Sequence, residues 1–161
     1  MVANTKNAEI AAKLNETRGS LVAFFDQLEG DDWETAVYDE GAHWTMTDIL
    51  RHLVDAEKGM LGMMMQWQQG NDPVPPDFDL ERWNNRAIQK TADQSPSDLL
   101  SKLKENRSNL LSFVDTIQEE DWGKTGRHGS LHIMSIEEVC HLIADHELSH
   151  LAVMEGILGT A

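Results

Sequence analysis

Basic residues are scarce in this chain. Lysine and arginine number 13 against 28 aspartates and glutamates, giving a formal charge of −15 and a sequence pI near 4.6 over 161 residues. Such a surface repels phosphate backbones and anionic lipid, so nucleic acid and membranes are poor partners for it. Cysteine is nearly absent too. Cys140 stands alone, which rules out an internal disulfide and fits a reducing cytoplasm. Its place one residue past an apolar seam position reads as a small core residue rather than a nucleophile. Long hydrophobic runs are missing: nothing approaches the roughly 18 residues of a spanning helix, and the opening MVANTKNAEI lacks a signal-peptide core. No stretch alternates as a strand does. What is left is one domain, residues 1–161, long enough to bury a sizeable core.

Helical periodicity fills that domain. A first helix is expected from Thr5, with Ile10, Leu14, Leu21, Phe24 and Leu28 in a stripe, Thr17 filling its gap and Gly30 as its stop. Asp31 to His43 reads as irregular. A second helix opens at Thr45 with Asp48 in capping-box position. Its seam is Met46, Ile49, Leu53, Ala56, Met60, Met63 and Trp67, and Gly70 ends it. A long link, 71–94, carries three of the four prolines and a minor amphipathic helix through Leu80, Trp83, Ala87 and Ile88. Antiparallel neighbours are usually joined by about 2–8 residues, so this link predicts a crossover and a third helix parallel to the second. Ser95, Pro96 and Asp98 start that third helix, whose seam holds Leu99, Leu103, Arg107, Leu110, Val114 and Ile117. A fourth begins at Ser135, with Glu138 completing a capping box. The expectation is an all-α four-helix bundle.

The fourth helix carries the chemistry. Its expected seam runs Ile136, Val139, Ile143, His146, His150, Val153, Ile157, with two histidines where aliphatic side chains belong. Residues four apart are rotated by only about 40° and spaced about 6 Å along the axis, so both imidazoles leave one face. Burying them without partners is costly, and a shared metal ion removes that cost. The competing reading is a pair of core or rim histidines satisfied by carbonyls and carboxylates. His52 is the best third ligand: it borders the second helix's seam, and small Ala56 and Gly59 beside it leave room for an ion. From periodicity alone it could also face solvent. His141 lies about 140° round from His146 and is structural or superficial, and His43, His128 and His132 sit in expected loops.

Residues 146–150 spell H-E-x-x-H, in which the glutamate serves as general base of a metalloprotease. The extended form is absent, since Val153 and Gly156 stand where its glycine and histidine would be, and no strand precedes the helix to bind a peptide. Glu147 can still lie near the ion and orient a water or a histidine. Arg107, at a core position, either snorkels outward or binds a carboxylate, including a substrate's. Met60, Met63, Met64, Met65 and Trp67 read as bundle core or as the mouth of an apolar pocket. Trp83 either covers the site or anchors the crossover.

Trp44-Thr45, Ile49-Leu50-Arg51-His52-Leu53, and Ile143-Ala-Asp-His146-Glu147-x-x-His150 together resemble the DinB-like superfamily, which includes YfiT-like metal-dependent hydrolases and thiol-dependent S-transferases. The resemblance spans nearly the whole chain and implies a four-helix bundle in up-down-down-up order. It also implies a metal triad of His52, His146 and His150 holding a divalent ion, zinc or nickel, and a homodimer. Three imidazoles leave a coordination position open, the pattern of catalytic sites. The expected activity is a metal-dependent S-transferase acting on a small electrophile with a low-molecular-weight thiol. Alternatives are a metal-dependent hydrolase with Glu147 as base, or a non-catalytic binding bundle of the stress response. Glu147 and Arg107 are the candidate catalytic residues.

Overall fold

Each long helix after the first starts where a side chain takes up an orphan backbone N–H. The computed structural model describes residues 5–39 and 42–159. Its four long helices are α1 (Thr5–Asp26), α2 (Met46–Gln68), α4 (Pro96–Thr116) and α5 (Ile136–Leu158), with the short α3 (Leu80–Lys90) in the link. Thr45 accepts from the Asp48 N–H while Asp48 accepts from Thr45's. Ser135 and Glu138 do the same for α5, and Ser95 caps α4 ahead of Pro96. Such caps are each worth about 1 kcal/mol.

Side-chain bridges fix the directions. Lys6 meets Glu137, Lys13 meets Asp145 and Thr17 meets Glu147, so α1 and α5 climb together. Arg51 donates to the Gln94 carbonyl, Asn106 to that of Val54, and Arg107 reaches Glu57, so α2 and α4 also run parallel. Against α4, α1 runs the other way: Asn7 bonds the Ile117 carbonyl and Arg18 that of Leu103. The order is up-down-down-up, with the crossover predicted between α2 and α4. Among the described residues no helix is long and apolar enough to cross a membrane.

The core comes in two halves. One gathers Ile10, Leu14, Met64, Trp67, Leu110 and Ile143; the other gathers Leu21, Phe25, Leu50, Leu53, Leu103 and Leu151. Between them, Arg18 of α1 joins a charge layer with Glu57 of α2, Arg107 of α4 and Glu147 of α5. Arg18 and Arg107 each pair with both Glu57 and Glu147.

Three sequence expectations are corrected. Two antiparallel hairpins occur where none was expected: β1 (Ala36–Asp39) with β2 (Ala42–Thr45), and β3 (Thr125–Arg127) with β4 (Ile133–Ser135). Strands of three or four residues are too short for alternation to register. Gly30, at φ +50°, opens a 3-10 turn (Gly30–Glu34), whereas α1 stops at Asp26. Finally, the buried face of α5 is wider than the expected seam: Ile136, Val139, Ile143 and His150 are buried as expected, Cys140, Ala144, Glu147, Leu151 and Met154 are buried beside them, and Ile157 is exposed. The buried face widens to take in Glu147, which meets two arginines there.

Candidate metal centre

From α5, His146 and His150 both point toward His52 of α2. There the Nε2 of His146 lies 3.1 Å from that of His52 and 3.1 Å from that of His150. The three rings meet edge to face, with centroids 4.6–5.0 Å apart. His52 and His150 are buried, and Trp44 of β2 covers the His52 ring at 5.1 Å. The first hairpin thus supplies a wall of the site.

Burial, followed by the neighbouring histidines, pushes the pKa of His52 down to about 2 and that of His146 to about 3. Both imidazoles are therefore neutral at pH 7, the form that ligates metals. The Nε2 of His146 faces two other ring nitrogens and carries at most one proton, so hydrogen bonding leaves lone pairs opposed. The buried Nδ1 of His52 has no hydrogen-bond partner. One cation at the centre would engage all three lone pairs. Ligand atoms about 2.0–2.1 Å from a tetrahedral zinc stand about 3.3 Å apart, close to the spacing found. The donor set fits a divalent ion, and these three are the group of His, Cys, Asp or Glu side chains able to hold one among the described residues.

The remaining sequence candidates are distributed as follows. Glu147, lying in sequence between two of these histidines, does not join them: its carboxylate accepts from Thr17, Arg18 and Arg107. Arg107 does not snorkel. It is buried, donates to Glu57 and Glu147, and also to the Leu14 carbonyl. Its partners are the chain's own carboxylates. His141 sits away from the triad beside Lys13. Cys140 is buried, and burial pushes its thiol up to about 12, so it is not a nucleophile at neutral pH.

Beside the triad opens a mostly apolar cavity of about 600 Å³, into which His52 and His146 project. Ala56, Gly59 and Gly62 form its α2 wall, and a Cβ at either glycine would meet nothing within 4 Å. Met60 and Met63 line it, whereas Met64 is core and Met65 is exposed. Trp83 closes one side, its indole N–H donating to Asp55 at 3.0 Å. Trp83 therefore both covers the cavity and anchors the crossover.

Three polar residues of this cavity escaped the sequence reading, Asp55, Asn84 and Gln66, and a fourth, His128, was expected only as a loop histidine. Asp55 follows His52 by one helical turn, a signal that was legible. Desolvation raises its pKa despite the Trp83 hydrogen bond, and burial lowers that of His128. His128 reaches the cavity only because the second hairpin folds over it.

Comparison with known proteins agrees with this geometry. Residues 13–154 match the model of the DinB superfamily. Among solved structures, YfiT from Bacillus subtilis, described as a probable metal-dependent hydrolase with an unusual four-helix bundle topology, superimposes with a TM-score of 0.75. It shares 17% identity, over 98% of this chain and 88% of its own. No curated protein matches the sequence.

Proposed function

This chain belongs to the DinB superfamily, and from that premise we propose that it is a metal-dependent enzyme acting on a small molecule, with His52, His146 and His150 holding a divalent ion. One observation carries the reading: three Nε2 atoms converge at the wall of an apolar cavity large enough for a small substrate. A bound ion supplies Lewis acidity there, lowering the pKa of a thiol or water that reaches it. The residues of the chain do the rest. Trp44 and the buried faces of α2 and α5 keep the three rings fixed. The methionines and Trp83 give the cavity an apolar lining.

Between the two chemistries, the surroundings favour transfer of a low-molecular-weight thiol to a small electrophile. Such a transfer forms a C–S bond as the bond to the leaving group breaks, and the thiol proton passes to solvent. It needs no protein base. Hydrolysis with Glu147 as base would require a carboxylate whose oxygens are already engaged by Thr17, Arg18 and Arg107. The observation favouring hydrolysis is the likeness to YfiT, whose description names a hydrolase. We assign Glu147 and Arg107 positioning roles through the charge layer beneath the histidines.

The test is metal content. Protein purified without a metal-affinity tag should carry close to one divalent ion per chain, and His146→Ala and His52→Ala should each lose it together with thiol conjugation. Unchanged metal content in both variants would defeat the proposal. Retained metal with ester or amide turnover, but no thiol conjugation, would decide for the hydrolase.

A further inference from the structure

α3 docks on the bundle through a surprising side chain. Its apolar stripe, Leu80, Trp83, Ala87 and Ile88, brackets Asn84, and Asn84 is the one buried residue of the helix. Only 8% of it is exposed. An asparagine here is costly twice over: it is a poor helix former, and a buried amide wants up to four hydrogen bonds. Yet no described residue hydrogen-bonds the Asn84 side chain, which lines the cavity beside His52 and His146. Its amide atoms are not among the buried polar atoms that lack a partner; the amide opens to the cavity, where water or a polar group of a ligand takes it up.

We propose that Asn84 is the specificity residue of this cavity, hydrogen-bonding an amide, carbonyl or comparable uncharged group of a small molecule whose apolar body lies along Met60, Met63, Val74 and Phe78. An amide both donates and accepts, so it reads such a group in either sense and rejects a purely apolar ligand that leaves it unpaired. The carboxylate of Asp55 lines the same cavity and disfavours an anion there. The histidines set where reaction occurs; Asn84 sets which end of the substrate faces away from them. This deepens the function proposed above and rests on the cavity being its substrate site.

The experiment compares two probes of one shape, benzamide and toluene, titrated by ligand-observed NMR into the purified protein and its Asn84→Leu variant. Wild type should prefer benzamide, and Asn84→Leu should cut that preference about fivefold or more, the worth of one hydrogen bond. Asn84→Ser, which keeps a smaller polar group, should fall between. In ¹⁵N-labelled wild type, benzamide should shift the Asn84 side-chain amide resonances. An unchanged benzamide-to-toluene ratio in both variants, or unshifted Asn84 resonances at saturating benzamide, would overturn the assignment. So would failure of benzamide to bind wild type at all. None of these readings depends on metal content, so the assignment can fall while the metal centre stands.

Discussion

Glu147 shows how a single residue can carry two incompatible readings. In the string His146-Glu-Leu-Ser-His150 it has the position of a metalloprotease base, but in the folded chain it is the centre of a buried charge layer. Removing one partner from such a layer leaves an uncompensated charge, at a cost of about 3–5 kcal/mol. Glu147→Gln should therefore lower the urea midpoint by an amount corresponding to that loss, while the folded fraction still binds metal. A variant that melts like wild type and loses only turnover would restore Glu147 as a base. Arg107→Met would leave Glu57 and Glu147 sharing Arg18 alone, one charge uncompensated, which is why an arginine survives on an otherwise aliphatic seam.

At the scale of elements, the two hairpins do what the helices cannot. β2 runs straight into the cap of α2 and brings Trp44 onto His52, and β4 runs into the cap of α5. The β3–β4 hairpin lies against α2 through Gly126, where a Cβ would stand 2.0 Å from the Trp67 Nε1. Trp67 is fully buried and cannot swing aside. Gly126→Ala must therefore displace the hairpin or the indole, a form of overpacking that costs about 1–3 kcal/mol. Denaturant unfolding, with a shift of tryptophan emission before the main transition, would report it; an unaltered midpoint would mean that the hairpin does not press on Trp67. Because His128 follows β3 directly, the same change should disturb the cavity mouth.

For the whole molecule, the neutral histidines tie stability to pH. In the metal-free protein His52 and His146 titrate near 2 and 3 when folded but near the ordinary 6.5 when unfolded. Below 6.5 the unfolded chain takes up protons that the native state refuses. Stability from these groups is thus complete above pH 6.5 and drains away as pH falls through the 6–3 window, at up to about 1.4 kcal/mol per pH unit for each histidine. Urea midpoints of metal-stripped protein should drop between about pH 7 and pH 5, and less steeply in His52→Ala. A flat profile would contradict the burial of these rings. Saturation with zinc should hold the midpoint up until protons displace the ion.

While His52 as third ligand rested on the family resemblance, the sequence by itself determined the helices, their caps, the crossover and the His146–His150 pair. Each is written in local spacing: Thr45 with Asp48, Ser135 with Glu138, histidines four apart, a proline-bearing link too long for a simple turn. Tertiary structure alone decided the breadth of the buried face of α5, the partners of Glu147 and Arg107, and the wall of the cavity. Arg18, Glu57, Arg107 and Glu147 come from four different helices, and nothing local in any of them announces the other three. Periodicity reports which face is apolar, but not that the buried face extends to a charge whose partners come from other helices. Asn84 became legible only once its neighbours were in place, since an open amide is defined by the partners that fail to reach it.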